Sequence, residues 1–406
     1  MINKSAFFKL INASMVLFGM SVVLISTLQS AAAQHIEDGK LIFPERRITV
    51  LSYQGADEAV LNTTALKIKT REGDGPGSWL NEWRSIGQYY ENVGDSAIAN
   101  HQRLEAHDAY LKANVYYSLS WFPGNHTPLE DMAYQSQLNV YRKAGALFDV
   151  PLEVMDIPYR DGKLIAYLHR PVGVENPPLI IWTGGSDQYK ANHYRSVREM
   201  NRKGMAVVTF DLPGFGESKN WLSTPDADDA HMAILDYFIT KGEFKAQRIS
   251  FVGVSWGGHF ALRVAARNDP RINAVAAFCA PAHETFVQSI ENIEYGFTTP
   301  ERMTYLNLAP RIGAELTPAG MQQALKPFSL FEAGLLGQGQ TIKTPLLIAN
   351  GTLDDIVPVS DLMLAYESAV DSDIWLLGRG NHCAGEYRAV VIPQLADWLL
   401  EKFNRL

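Results

Sequence analysis

Residues 253–257 read Gly-Val-Ser-Trp-Gly, and no other segment restricts the fold of this chain so strongly. The pentapeptide follows an apolar, β-branched run containing Ile249, Phe251 and Val252, and it opens a helical stretch from Gly258 to Arg267. A serine between two glycines at a strand-to-helix junction is the pattern of a tight turn that holds a hydroxyl above the end of a sheet. The glycines follow from sterics, because a side chain at Gly253 or Gly257 would collide with the neighbouring strand or helix. The expectation is a strand, a strained turn at Ser255 and a helix, in a sheet whose other strands must bring partners to that hydroxyl.

A serine hydroxyl is a poor nucleophile at neutral pH; it needs a base, and the base needs an orienting carboxylate. The C-terminal part of the chain supplies both. The apolar run Pro345-Leu-Leu-Ile-Ala leads into Asn350-Gly-Thr-Leu-Asp354-Asp355-Ile-Val-Pro358, a strand, a glycine turn and an acid at the strand's carboxyl end. The run Ile374-Trp-Leu-Leu leads into Gly378-Arg-Gly-Asn-His382, a glycine-rich loop ending in histidine before a final helix over about 387–403. The expected set is Ser255, Asp354 and His382, with Asp355 as the competing acid, otherwise a turn residue or helix N-cap. Charge developing on a carbonyl oxygen must be held by preorganised N–H donors. One is the amide of Trp256, directly after the serine. The second comes from Thr183-Gly184-Gly185-Ser186-Asp187, after the strand Leu179–Trp182, and is assigned to Gly185 or Ser186.

The ordered motifs Gly-Gly-Ser-Asp, Asp-x-Pro-Gly-x-Gly-x-Ser (Asp211 to Ser218), Gly-x-Ser-x-Gly-Gly, Gly-x-x-Asp-x-x-Val-Pro and Gly-Asn-His resemble the α/β-hydrolase superfamily over residues of about 150 to 405. Within it, the chain resembles a group with helices ahead of the hydrolase core. That group includes the esterases similar to the fermentation–respiration switch protein, 2,6-dihydropseudooxynicotine hydrolase and the fungal polyketide-shortening hydrolases. The residues that carry this narrower likeness are Ala113-Asn-Val-Tyr-Tyr117-Ser-Leu-Ser-Trp121-Phe-Pro123, Trp182-Thr-Gly-Gly-Ser-Asp187 and Lys326-Pro-Phe-Ser-Leu330. The resemblance implies a mostly parallel eight-stranded sheet with flanking helices and an N-terminal helical cap, and it favours Asp354, third after Gly351, as the acid. It also implies a serine hydrolase that needs no cofactor and works through an acyl-enzyme. Carboxylic esters are the leading substrate class. Hydrolysis of a carbon–carbon bond beside a ketone is one alternative, and a non-catalytic binding protein on the same scaffold is another.

Three segments are expected. Residues 1–33 read as an export signal, with Lys4 and Lys9 before an apolar core from Met15 to Leu28 and small residues Ala31–Ala33 before Gln34. A secreted or periplasmic mature protein follows, with no stable membrane insertion after cleavage near Ala33 and Gln34; the alternative is an uncleaved anchor, since the apolar stretch from Leu10 is nearly long enough to span a bilayer. Residues 34–150 read as the helical cap, with an irregular stretch, strand or loop, at 48–69 and helices at 79–93, 99–119 and 129–148, broken at Gly94-Asp95 and Pro123-Gly-Asn125. Residues 151–406 read as the catalytic domain, starting with two strands turned at Arg160-Asp-Gly162, and 283–340 is expected to add lid and pocket wall. Tyr117, Trp121 and His283 are candidate pocket residues, although most cap aromatics fit core packing. The 36 basic against 44 acidic residues, a net charge of −8, disfavour nucleic acid binding. The expected partner is a small ester or ketone substrate, and a homodimer is left open. No His or Cys cluster has metal-ligand spacing. Cys279 and Cys383 fall at strand ends and read as two small buried side chains, with a bond between them as the alternative.

Overall fold

The computed structural model describes residues 45–299, 302–337 and 339–405, together with a two-residue ladder pairing Ile36–Glu37 with Lys40–Leu41. The apolar segment read as an export signal, and its cleavage site near Ala33 and Gln34, lie outside the described residues.

Eight strands form one sheet: β1 (Glu153–Tyr159), β2 (Gly162–His169), β3 (Leu179–Thr183), β4 (Ala206–Phe210), β5 (Ile249–Val254), β6 (Ile272–Phe278), β7 (Leu346–Gly351) and β8 (Ser372–Leu377). Their order is β8-β7-β6-β5-β3-β4-β2-β1, with β2 antiparallel to both β1 and β4 and the other neighbours parallel. Every residue of β3, β4, β6 and β7 is buried, as expected of strands covered by helices on both faces. Because successive strand side chains point to opposite faces, the apolar runs split cleanly. Ile181, Val208 and Phe251 pack with Phe238 and Phe260 on one face, while Ile180, Val207 and Val252 pack with Val197, Met200, Leu395 and Leu399 on the other. This is the α/β-hydrolase fold, with the strand order reversing beside β5.

The N-terminal segment is helical throughout most of its described length. Helices α1 (Glu45–Gln54) and α2 (Glu58–Ala65) occupy most of 48–69, in place of the irregular stretch, strand or loop, expected there. Asp57 caps α2 by accepting from the Val60 amide at 3.0 Å, and Leu51, Leu61 and Ala65 pack against Trp83 and Tyr116. Burial of that face outweighs the few tenths of a kcal/mol by which β-branched residues disfavour helix. Then come α3 (Trp79–Ala99), α4 (Arg103–Trp121) and α5 (Pro128–Gly145). Gly94 does not break α3. A Cβ at Gly94 would lie 2.4 Å from Tyr110 Cε1, so the glycine is where a tyrosine of α4 enters the helix surface, and Asp95 accepts from that tyrosine's hydroxyl at 2.7 Å.

In the core, α6 (Tyr194–Arg202), α7 (Asp229–Lys241) and α8 (Trp256–Ala266) follow strands β3, β4 and β5. Between β6 and β7 the chain inserts α9 (Ile290–Phe297), α10 (Arg302–Ile312) and α11 (Pro318–Leu325). Asp361 anchors the start of this insertion. Buried in α12 (Val359–Glu367), its carboxylate accepts from the amides of Ala282, His283 and Glu284 at 2.9, 3.0 and 2.7 Å. The chain closes with α13 (Arg388–Asn404).

Candidate active site

Ser255 stands between β5 and α8 at φ 55°, ψ −117°, a conformation costly for any L side chain and one that the surroundings must enforce. They do so by contact. A Cβ at Gly253 would lie 2.1 Å from the Gly257 carbonyl oxygen, and one at Gly257 would lie 2.4 Å from the Gly184 carbonyl oxygen. The Ser255 amide donates to the Phe278 carbonyl at 2.8 Å, and the Gly257 amide to the Gly184 carbonyl at 3.1 Å. The turn is thus fastened both to the end of β6 and to the loop after β3.

The structure brings His382 and Asp354 to this hydroxyl. His382 Nε2 lies 3.0 Å from Ser255 Oγ, and its Nδ1 lies 2.7 Å from Asp354 Oδ2. The Asp354 side chain is 1% exposed and that of His382 20%. Asp354 also accepts from the Ile356 amide at 2.8 Å, the Val357 amide at 3.1 Å and Asn350 Nδ2 at 2.6 Å. Burial alone would raise its carboxyl, but the hydrogen bond and charge of His382, the Ile356 amide and Asn350 outweigh burial and hold it below the ordinary carboxylate range. Asp355, one residue on, lines the cavity beside Ser255 instead. A hydroxyl, an imidazole and a carboxylate in this series can move a proton off the oxygen while the carboxylate fixes the ring tautomer.

Gly185 and Trp256 flank Ser255. A Cβ on Gly185 would stand 3.0 Å from Ser255 Cβ and 3.4 Å from Oγ, so a side chain there would crowd the serine and glycine lets this loop approach the hydroxyl closely. The Trp256 amide, first in α8, has no acceptor within the helix. Ser186 lines the same cavity as Ser255, and its carbonyl accepts from Asn307 Nδ2 at 2.8 Å.

Two hollows meet at Ser255. One, of about 280 Å³, is walled by Trp256, Phe286, Tyr305, Leu308, Leu325 and Val357. The other, of about 100 Å³, lies on the His382 side, beside Gly185, Gln188, Glu386 and Arg388. Half of the residues lining the larger hollow, among them Phe286, Tyr305, Leu308 and Leu325, come from the insertion after β6, and none from the N-terminal helices.

The three candidate pocket residues do not line it. Tyr117 is 4% exposed, lies over Gly87 of α3 and donates to Glu91 Oε2 at 2.7 Å. Trp121 is fully buried, donates to Gln137 Oε1 at 2.9 Å and stacks on Tyr189 with centroids 4.3 Å apart. Tyr117 fills a contact between N-terminal helices and Trp121 one between those helices and Tyr189 of the loop after β3, so both are removed from water without reaching the cavity. His283 turns its ring to Ser329, with Nδ1 2.7 Å from that Oγ, and packs on Phe331.

Cys279 and Cys383 are joined in a disulfide, against the reading of two separate buried thiols. The bond arises because Cys279 ends β6 while the loop carrying His382 folds back over β7, bringing their Cα atoms to 4.7 Å. Cys279, His382 and Cys383 would otherwise group as potential metal ligands within 4.8 Å, but the bridge consumes both thiolates. Asn350 is the residue that sequence reasoning missed. Fully buried at the end of β7, it donates to Asp354 through Nδ2, while its Oδ1 accepts from the amides of Gly351 and Cys383 at 2.8 and 3.0 Å. Its signal was a lone amide side chain closing the apolar run Leu346–Ala349.

Residues 47–403 match the family model described as esterase FrsA-like. The chain is 24% identical over 403 residues to the esterase FrsA of Photobacterium profundum, covering 94% of each. It is 26% identical over 299 residues to the esterase FrsA of Vibrio cholerae serotype O1 (strain M66-2), covering 71% of this chain and 68% of that one. Among solved structures, the 2,6-dihydroxy-pseudo-oxynicotine hydrolase superposes with a TM-score of 0.74 at 21% identity, over 87% of this chain and 95% of that one. AbyA5 superposes with a TM-score of 0.68 at 21% identity, over 89% and 98%. These structural likenesses are of fold, and the family match spans most of the chain: this protein belongs to the FrsA-like esterase family.

Proposed function

We propose that the protein hydrolyses carboxylic esters through an acyl-enzyme on Ser255. Ser255 Oγ attacks the ester carbonyl carbon while His382 takes its proton, and Asp354 holds the imidazolium that forms. The tetrahedral oxyanion is received by the amides of Trp256 and of Gly185 or Ser186. Collapse expels the alcohol, protonated by His382; water then attacks the acyl group with His382 again as base. The observation that carries this reading is the continuous series Ser255 Oγ–His382 Nε2 at 3.0 Å and His382 Nδ1–Asp354 Oδ2 at 2.7 Å.

The two hollows orient the substrate. The leaving alcohol must lie on the side of His382, which protonates it, so it occupies the smaller hollow; the acyl group takes the larger, apolar one. Burial there contributes about 25 cal/mol for each Å² of apolar surface removed from water. This favours esters of apolar acids. The mature enzyme works outside the cytoplasm, a reading supported by the charged, then apolar, then small-residue pattern of residues 1–33. No helix among the described residues is long and apolar enough to cross a membrane.

The test is a panel of activated esters of increasing acyl length, anilides and β-diketones, run on wild type and Ser255→Ala with fluorophosphonate labelling. Ester turnover and labelling, both lost in Ser255→Ala, are expected. Turnover of β-diketones alone would replace the ester reading with carbon–carbon hydrolysis, and no labelling would leave a binding scaffold.

A further inference from the structure

The loop after β3 is held from behind by buried charge. We propose, resting on the reading that this loop stabilises the oxyanion, that Lys190 is a positioning residue. Through Asp211 and Tyr134 it locks the loop to the N-terminal helices, so those helices act on the reaction by fixing the oxyanion donors and not as a lid.

The side chains of Lys190 and Asp211 are both fully buried. Lys190 Nζ donates to Asp211 Oδ2 at 2.6 Å and to Tyr134 Oη at 3.3 Å, and stands 2.7 Å from Glu217 Oε2 at an angle unsuited to a hydrogen bond. The Lys190 amide donates to Asp211 Oδ1 at 2.9 Å, while Oδ2 also receives the Tyr134 hydroxyl and, at 2.9 Å, the Glu217 amide. Tyr134 belongs to α5. The residues on either side of Lys190 are gripped by α4: Trp121 stacks on Tyr189, and Asn114 Nδ2 donates to the Ala191 carbonyl at 3.0 Å. At the front of the loop, Asn307 of α10 holds the Ser186 carbonyl, and His126, just ahead of α5, lies 2.9 Å from Asn307 Oδ1. Three consecutive loop residues and the Ser186 carbonyl are thus tied, directly or through one side chain, to the N-terminal segment.

A buried ion pair is a weak source of net stability, because desolvating two charges offsets their attraction. What such a buried network supplies is a single geometry, since displacing Lys190 or Asp211 strands a charge in a medium that cannot solvate it. Oxyanion stabilisation needs that, because donors must already point at the place where charge will appear.

The experiment uses the full chain with Tyr134→Phe and Lys190→Met. It measures kcat and KM on an acetyl and a bulky activated ester, and the Ki of a trifluoromethyl ketone that adds reversibly to the serine as a tetrahedral mimic. Lys190→Met should lower kcat roughly 10- to 100-fold and Tyr134→Phe about 3-fold or more, the scale of a displaced reacting geometry. KM should stay within about twofold, both esters should lose equally, and the ketone Ki should rise by the same factor as kcat/KM falls. Unchanged kcat in both folded variants overturns the proposal, as does a loss confined to KM, or a fall in kcat with the ketone Ki unmoved. If Lys190→Met does not fold, Tyr134→Phe decides. Failure of the serine-hydrolase reading shows elsewhere, as a Ser255→Ala protein as active as wild type, and would take this proposal with it.

Discussion

Removing the Cys279–Cys383 bridge should weaken the fold and slow the reaction, and the structure sets the size of the first effect. The bridge spans a sequence separation of 104 residues. Cross-linking a loop of that length restricts the unfolded chain by about 4.7 kcal/mol in the chain-entropy treatment, with measured cases usually smaller. On the native side, Cys279, Cys383 and Ala384 hold φ of 41°, 60° and 47°, left-handed conformations that a released loop can relax. Any such relaxation stabilises the released fold and offsets part of this, so the expected loss is about 3 to 4 kcal/mol. The effect on rate follows from position. Cys383 adjoins His382, and Cys279 adjoins Phe278, whose carbonyl receives the Ser255 amide at 2.8 Å. The bridge therefore joins the strand end that fixes the serine to the loop that carries the imidazole. Urea unfolding of oxidised wild type and Cys279→Ala/Cys383→Ala should show a lower midpoint in the variant. At low urea, where both are folded, kcat of the variant should be about 10-fold lower, the order expected when a proton-transfer distance is no longer fixed. A variant within about 1 kcal/mol of wild type that keeps full kcat would refute the argument on both counts. So would mass spectrometry finding two free thiols in air-oxidised native protein.

Asp354→Asn should lower kcat by roughly 10³-fold or more with folding intact, while Asp355→Asn changes it less than about tenfold; the reverse ranking would move the acid to Asp355. Trp121→Ala should cost about 3 to 5 kcal/mol and reduce activity on small and bulky esters alike. A loss confined to bulky esters at unchanged melting temperature would return Trp121 to the pocket. Stability should also fall with acid. Burial lowers His169, His193 and His259 to about 3 and His231 to about 4. These rings are neutral in the fold, whereas the unfolded chain takes up protons below about 6.5, so each removes up to about 1.4 kcal/mol per pH unit as pH drops from 6.5 toward the folded value. A urea midpoint that does not fall between pH 7 and pH 5 would contradict this.

Much of the site was legible in the linear chain because its demands are local. The elbow needs glycines where Gly253 and Gly257 stand, since a Cβ at Gly257 would come within 2.4 Å of the Gly184 carbonyl oxygen. Parallel strands read as apolar runs ending in glycine turns, so the buried β3, β5 and β7 and the half-exposed edge strand β8 could be placed, with Ser255, Asp354 and His382 following the last three. What stayed hidden depends on distance in space. An aromatic at helical spacing shows that a face is buried but not what it is buried against, so Tyr117 and Trp121 could be offered to the pocket although α3 and Tyr189 cover them. The stretch 48–69 read as irregular, strand or loop, and it is packing on Trp83 and Tyr116 that makes most of it helical. Cys279 and Cys383 meet only because the His382 loop folds over β7, and Asn350 links Asp354 to Cys383 only once that loop is in place. Motif spacing carries the chemistry of single turns. Which side chains grip those turns from behind, as Lys190 and Asp211 grip the loop after β3, is settled by packing between segments far apart in the chain.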